Sequence, residues 1–187
     1  RLMRQYRFDA KPPEFLLTHP VTESRIADTR NRAEQAKPGG TEDSLRYQLI
    51  RARVQLKYED TPGLAAKRFQ AQLDENPKND VARYGLAIAQ IKGTKLKEAR
   101  ENLAPLLAKS PNDITYNLAQ IELDITNNRL PDAQQRTDRM LTQYPGNYPL
   151  NQVRVDLLLK QNRTADAEKA LDGLLKSRPD DPDVWYQ

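Results

Sequence analysis

The chain has no cysteine and a single histidine, His19, among its 187 residues. Without thiols there is neither a disulfide frame nor a thiolate metal site. A zinc centre needs two or more imidazoles or thiolates on one ion, commonly as His-Glu-x-x-His on a helix, and one histidine cannot supply them. A Ser-His-Asp arrangement around His19 would lack the Gly-x-Ser-x-Gly elbow that holds its nucleophile. His19, beside Pro20, reads as a turn residue. The seven glycines form neither a Gly-x-x-x-x-Gly-Lys-Ser/Thr phosphate loop nor a Gly-x-Gly-x-x-Gly turn. Long apolar runs are also missing: 30% of residues are charged, and no window approaches the roughly 20 apolar residues of a membrane span. This stretch is therefore expected to be non-catalytic, without a cofactor of its own and without a membrane span. It opens on Arg1 with no charged-then-apolar leader, so a longer precursor is expected.

A net charge of +4 raises the question of nucleic acid. Its distribution argues against that partner. Residues 1–40 hold eight basic and five acidic side chains, the remainder 22 and 21. A nucleic-acid binder concentrates basic charge on its binding face, whereas the longer part here is nearly neutral.

What the chain does have is a period. Pro77, Pro111, Pro145 and Pro179 stand 34 residues apart. Ala65, Ala99, Ala133 and Ala167 keep the same register, as do Leu73, Leu107, Leu141 and Leu175, and Asn79, Asp113, Asn147 and Asp181. The Asn/Asp positions suit N-caps. Each proline ends the helix before it. The alanines suit close helix crossings, where extra bulk would overpack the contact, and the leucines suit the seam between units. A helix–turn–helix of this size cannot bury its apolar face alone and must stack on neighbours.

The order of elements follows. A polar helix is expected over about 22–36, then a Lys37-Pro38-Gly39-Gly40 stop and linker. Repeat one should place helices at 44–58 and 62–75, with Thr61 capping and Pro62 at the first helical position. Repeat two should place them at 79–92 and 95–109, repeat three at 113–126 and 130–143, repeat four at 147–161 and 164–177. Asp181 and Trp185 begin a fifth repeat that the chain leaves truncated. Pro105, inside the second helix of repeat two, should kink it at 101–105. Asn162 falls in an inter-helix turn where Asn tolerates the left-handed region. Asp180, Asp181 and Asp183 read as helix-start carboxylates, and Lys92, Lys95, Lys97 and Arg100 as a solvated face.

The spacing of Ala and Pro within the 34-residue unit resembles the tetratricopeptide (TPR) repeat. That resemblance implies an all-α solenoid over 41–187, with four repeats and a truncated fifth. Repeat two fits best, with Leu86, Ala87, Ala99, Leu103 and Pro111 at family positions. Gln120 and Thr137 in repeat three and Arg154 in repeat four depart from the pattern and imply irregular packing there. In the family, the first helix of each repeat lines a concave groove. Tyr47 and the fifth-position residues Ile50, Tyr84, Leu118 and Gln152 then face it, as do the ninth-position residues Val54, Ile88, Glu122 and Asp156. The stripe is apolar and aromatic in the first three repeats and polar and acidic in the fourth, and it reads either as partly buried packing or as a groove for a docked protein segment. The Lys and Asn residues of a carboxylate clamp are missing from it.

The opening segment carries a second resemblance. Pro13-Glu14-Phe15-Leu16-Leu17-Thr18-His19-Pro20, followed by Arg25-Ile26, looks like the closing run of M48-family zinc metalloprotease domains, making 1–40 the tail of such a domain and its linker. Followed by TPR repeats, it is similar to periplasmic members of that family in Gram-negative bacteria. The resemblance implies a zinc endopeptidase parent in the periplasm, with chaperone-like and proteolytic roles in outer-membrane protein assembly. It also implies that the repeats contact the β-barrel assembly machinery, outer-membrane protein substrates and the protease domain in cis. Any zinc ligands would lie upstream of Arg1. A free-standing TPR adaptor is the alternative.

Overall fold

A computed structural model describes residues 22–35 and 42–177. The Pro13–Pro20 run, His19, the Lys37–Gly40 linker, Asp181 and Trp185 lie outside the described residues. The chain divides into two compact units at Glu42/Asp43. Of the first, the helix α1 (Thr22–Gln35) is described, and its described side chains are solvent-exposed.

The second unit is a run of helices: α2 (Leu45–Lys57), α3 (Pro62–Glu75), α4 (Asp80–Lys92), α5 (Leu96–Lys109), α6 (Ile114–Thr126), α7 (Leu130–Gln143), α8 (Tyr148–Lys160) and α9 (Thr164–Ser177). Among the described residues there is no strand. The starts are set by the residues the period picks out. The side chains of Asn79, Asp113 and Asn147 accept hydrogen bonds from the backbone N–H three residues on, at 3.0, 3.0 and 3.1 Å. Ser44 and Thr61 do the same for α2 and α3. Each cap satisfies a donor the helix would otherwise leave unpaired.

The turns within repeats two, three and four are copies of one another. Thr94, Asn128 and Asn162 take positive φ values of 58°, 54° and 58°. After each, a backbone N–H reaches back five residues: Lys95 to Gln90 O at 2.8 Å, Arg129 to Asp124 O at 2.7 Å, Arg163 to Leu158 O at 2.9 Å. This left-handed stop satisfies terminal carbonyls and sends the chain back antiparallel, so α4 pairs with α5, α6 with α7 and α8 with α9. Repeat one is different. Asp60, at the equivalent place, is not left-handed, and α2 packs on α4 rather than folding closely onto α3.

The core is a row of contiguous clusters, one spanning α2 to α6, the next α6 to α8, the last α8 and α9. All four ladder alanines are buried. Of the ladder leucines Leu73 is buried, while Leu107, Leu141 and Leu175 are half-buried and pack at the cluster edges. The deeper contact comes one residue earlier, from Leu106, Met140 and Leu174. Helix α5 runs from Leu96 to Lys109 with Pro105 inside it. Pro105 and Glu101 are both exposed, so the carbonyl that loses its donor faces water, which can hydrate it.

Candidate protein-interaction surface

Consecutive first helices α2, α4 and α6 lie side by side, α4 packing against both others. Their arrangement sorts the expected groove residues by depth. Tyr84 and Ile88 on α4 are 1% and 0% exposed, so neither is an anchor open to a partner. The reason is lateral: α2 and α6 flank α4, and an ion pair from Arg53 on α2 to Glu122 on α6 reaches past it. Arg53 Nη1 also stands 3.5 Å from the Tyr84 hydroxyl, and the Tyr84 and Tyr116 rings meet at 5.9 Å between centroids. Burial pushes the Tyr84 hydroxyl pKa up. Burial works against the charge on Arg53, but the attraction of Glu122 and of Tyr84 outweighs it and holds the guanidinium pKa above its ordinary value.

The other expected residues fall into two groups. Leu118 is half-buried against the second core cluster. Glu122 is engaged by Arg53, and Gln152 donates to the Tyr148 hydroxyl at 2.9 Å. Asp156 is exposed on α8. Only α2 presents the apolar stripe to solvent. Tyr47, Ile50 and Val54 are 52%, 49% and 49% exposed, spaced so as to share one face of the helix. The opposite face carries Leu49, Ala52 and Leu56 into the core. A helix apolar on both sides, with one side packed and the other in water, leaves a surface suited to a partner.

Two features escape sequence reasoning. Arg53, one position before Val54, carries no family signal, although it closes the groove. Arg100 reads from the sequence as part of a solvated face, yet it contributes to a cleft between α5 and α7 together with Gln120. The polar residues at normally apolar positions of repeat three are the available clue. Among the described residues, no group of three or more His, Cys, Asp or Glu side chains is placed to hold a metal ion. No helix there is long and apolar enough to cross a membrane.

The tetratricopeptide repeat family pattern matches residues 58–121 and 124–186, and the chain belongs to that family. The match starts after α2, the helix that leaves the regular hairpin. Among curated relatives, the chain is similar to the beta-barrel assembly-enhancing protease of Escherichia coli K12, 37% identical over 133 residues, which is 68% of this chain and 27% of that protein. It is similarly related to the Yersinia pestis protein of the same name, at 37% identity over the same shares. A putative beta-barrel assembly-enhancing protease of Vibrio cholerae is 33% identical over 62% of this chain and 25% of its own length. The chain thus spans about a quarter of these relatives. A solved tetratricopeptide repeat protein from Thermus thermophilus superposes with a TM-score of 0.61 at 24% identity, over 75% of this chain and 77% of that one. One from Parabacteroides merdae also gives 0.61, at 16% identity, over 82% and 57%. These two establish the fold alone.

Proposed function

We propose that the chain is the protein-docking region of a periplasmic beta-barrel assembly-enhancing protease. It works in cis with a zinc-dependent M48-type protease domain and contacts the β-barrel assembly machinery and outer-membrane protein substrates. The observation that carries this reading is the solvent-facing stripe Tyr47–Ile50–Val54 on α2, in a repeat unit whose relatives bear that protease's name. Apolar anchors of this kind supply most of the energy in a docked interface, about 2 kcal/mol or more for each that acts as a hot spot. The repeats then act by holding and presenting a polypeptide, and the zinc chemistry would belong to the part of the protein outside this chain.

The test pairs capture with stability. Ile50→Glu and Val54→Glu place a charge on an exposed face and should leave the melting temperature close to the parent's. They should also abolish photo-cross-linking from position 47 to components of the β-barrel assembly machinery. Ile88→Glu buries the charge and should unfold repeat two. Cross-linking that survives both α2 substitutions would refute the docking face. If either α2 variant melted far below the parent, the stripe would be part of the core instead.

A further inference from the structure

We infer that the cleft between α5 and α7 is a binding site for an acidic side chain of a protein partner, on a different face from the α2 stripe. The cleft is about 620 Å³, within the range of built ligand sites. Helices α5 and α7 pack on α6 and leave a channel between them that α6 floors. Ala104 and Leu107 supply apolar wall, and in the polar remainder Arg100, Arg129, Arg136 and Arg139 outnumber the carboxylates of Asp124 and Asp132.

The charges within it are unevenly matched. Arg100 stands 3.7 Å from Asp124, and Arg129 Nε donates to Asp132 at 2.6 Å. Among the described residues, Arg136 and Arg139 have no carboxylate within ion-pair distance. Both instead donate to a single neutral oxygen, Asn117 Oδ1, each at 3.0 Å. That oxygen is fixed in place, because the Asn117 amide nitrogen donates to Pro111 O at 2.9 Å and Asp113 O at 2.7 Å. Two guanidiniums are thus held together in advance, a geometry that a carboxylate can accept in bidentate fashion.

Two further groups are left over. Arg136 Nε is buried with no hydrogen-bond partner. Gln120, 7% exposed, lines the cleft, and its side-chain amide makes no hydrogen bond among the described residues. Burial lowers the Arg136 pKa and the adjacent Arg139 lowers it further, while Asp124 and Asp132 raise it without making up the difference. An incoming carboxylate would neutralise the pair, and the Gln120 amide is available to donate to it.

The repeat supplies its own control. A second cleft of about 430 Å³ is lined by Ala66, Gln70, Leu86, Gln90 and Lys95. Those residues stand 34 positions before Arg100, Ala104, Gln120, Asp124 and Arg129. Stacking of helical pairs therefore makes the channel, and the substitutions in repeat three give it its chemistry. From the sequence, Gln120 and Thr137 both read as irregular packing. Thr137 is buried and satisfied by Ala133 O, whereas Gln120 opens onto the cleft.

The experiment is an NMR titration of the whole isotope-labelled chain, following the arginine Nε–H and glutamine amide signals. The probe is a short N-acetylated, C-amidated peptide with two adjacent glutamates. Saturable shifts at Arg136, Arg139 and Gln120 are expected, and binding should weaken by about tenfold or more for the glutamine counterpart of the peptide. Arg139→Gln, at an exposed position, should weaken it to a similar degree. Gln120→Leu, which installs the repeat-two residue, should weaken it at an unchanged melting temperature and covers the case of an unfolded Arg139→Gln. Equal binding of the glutamine peptide, or affinity indifferent to a folded variant, would overturn the site. Preference for a glutamate-free peptide with a free C-terminal carboxylate would replace the side chain by a chain end. Saturation by inorganic phosphate alone, with no response to the peptide, would reduce it to a small-anion site.

Discussion

Gly85→Ala sets two known effects against each other at one atom. In the interior of α4, alanine is favoured over glycine by about 1 kcal/mol, and on that ground the change should stabilise. The space around Gly85 says otherwise. A Cβ there would run into Cε1 of Phe69 and fall 2.5 and 2.7 Å from its Cζ and Cδ1, against about 3.5–4.0 Å for carbon atoms in contact. Phe69 is 2% exposed, packed in the cluster formed by α2 to α6. Its ring must shift by about 1 Å into a filled core, and overpacking of this kind costs about 1–3 kcal/mol. The packing term wins, leaving a net loss of up to about 2 kcal/mol. In a chain of this size that lowers the melting temperature by several degrees, at about 2–4 °C per kcal/mol. The decisive assay is a double-mutant cycle with Phe69→Leu, read by thermal melts. Shrinking the ring makes room for the methyl, so the two changes together should cost about 1 kcal/mol less than their sum. A Gly85→Ala chain that melts at or above the parent's temperature would refute the close approach of α3 and α4.

Thr94→Asn should raise stability by about 0.5 kcal/mol or more, because a β-branched residue at φ 58° is replaced by the type that Asn128 and Asn162 supply in the same turn; urea midpoints measure it, and an unchanged or lower midpoint refutes it. The Tyr116 hydroxyl is buried without a hydrogen-bond partner, and burial first, then Asp80 and Asp113, push its pKa up to about 12 from 10.0. The folded state therefore holds this proton more tightly than the unfolded chain. Its contribution is full below pH 10 and falls as pH rises toward 12. Tyr116→Phe should flatten that alkaline decline and match or exceed the parent's stability at neutral pH; an equally steep decline in urea melts across this range would assign it elsewhere.

The solenoid was legible wherever a local rule sets the structure. Thr61-Pro62, Asn79, Asp113 and Asn147 start helices through bonds that span three residues, and Asn162 turns the chain by its own backbone preference. Depth was legible only where packing is also local. The ladder alanines stand at the small-residue position that each repeat keeps for a close helix approach, and all four are buried. Tyr84 and Ile88 occupy groove positions by count, but their exposure depends on how closely α2 and α6 flank α4. That is decided in part by the Arg53–Glu122 pair, across 69 residues of sequence, which no 34-residue period encodes. Repeat one shows the same limit. Its turn lacks the left-handed residue, and α2 packs on α4 rather than closely on α3. On that helix Tyr47, Ile50 and Val54 stay in solvent.

Function in such a chain is therefore to be sought where a repeat breaks the rule that folds it. Positions that stack must stay alike, since each repeat is stabilised only through its neighbours, and a polar residue placed there costs free energy unless it is satisfied. Asn117 and Thr137 meet that condition inside repeat three, each with good hydrogen bonds. Arg136 and Gln120 do not: the Arg136 Nε is buried without a partner, and the Gln120 amide opens onto the same cleft without a hydrogen bond. A stacking defect alone would account for a single polar intrusion. It does not account for a pinned asparagine that holds two arginines, neither of them ion-paired, in the lining of the same cleft. The cleft one repeat earlier has the same position in the stack and none of those arginines. The difference between two copies of one channel is what assigns the later one to a negatively charged partner group.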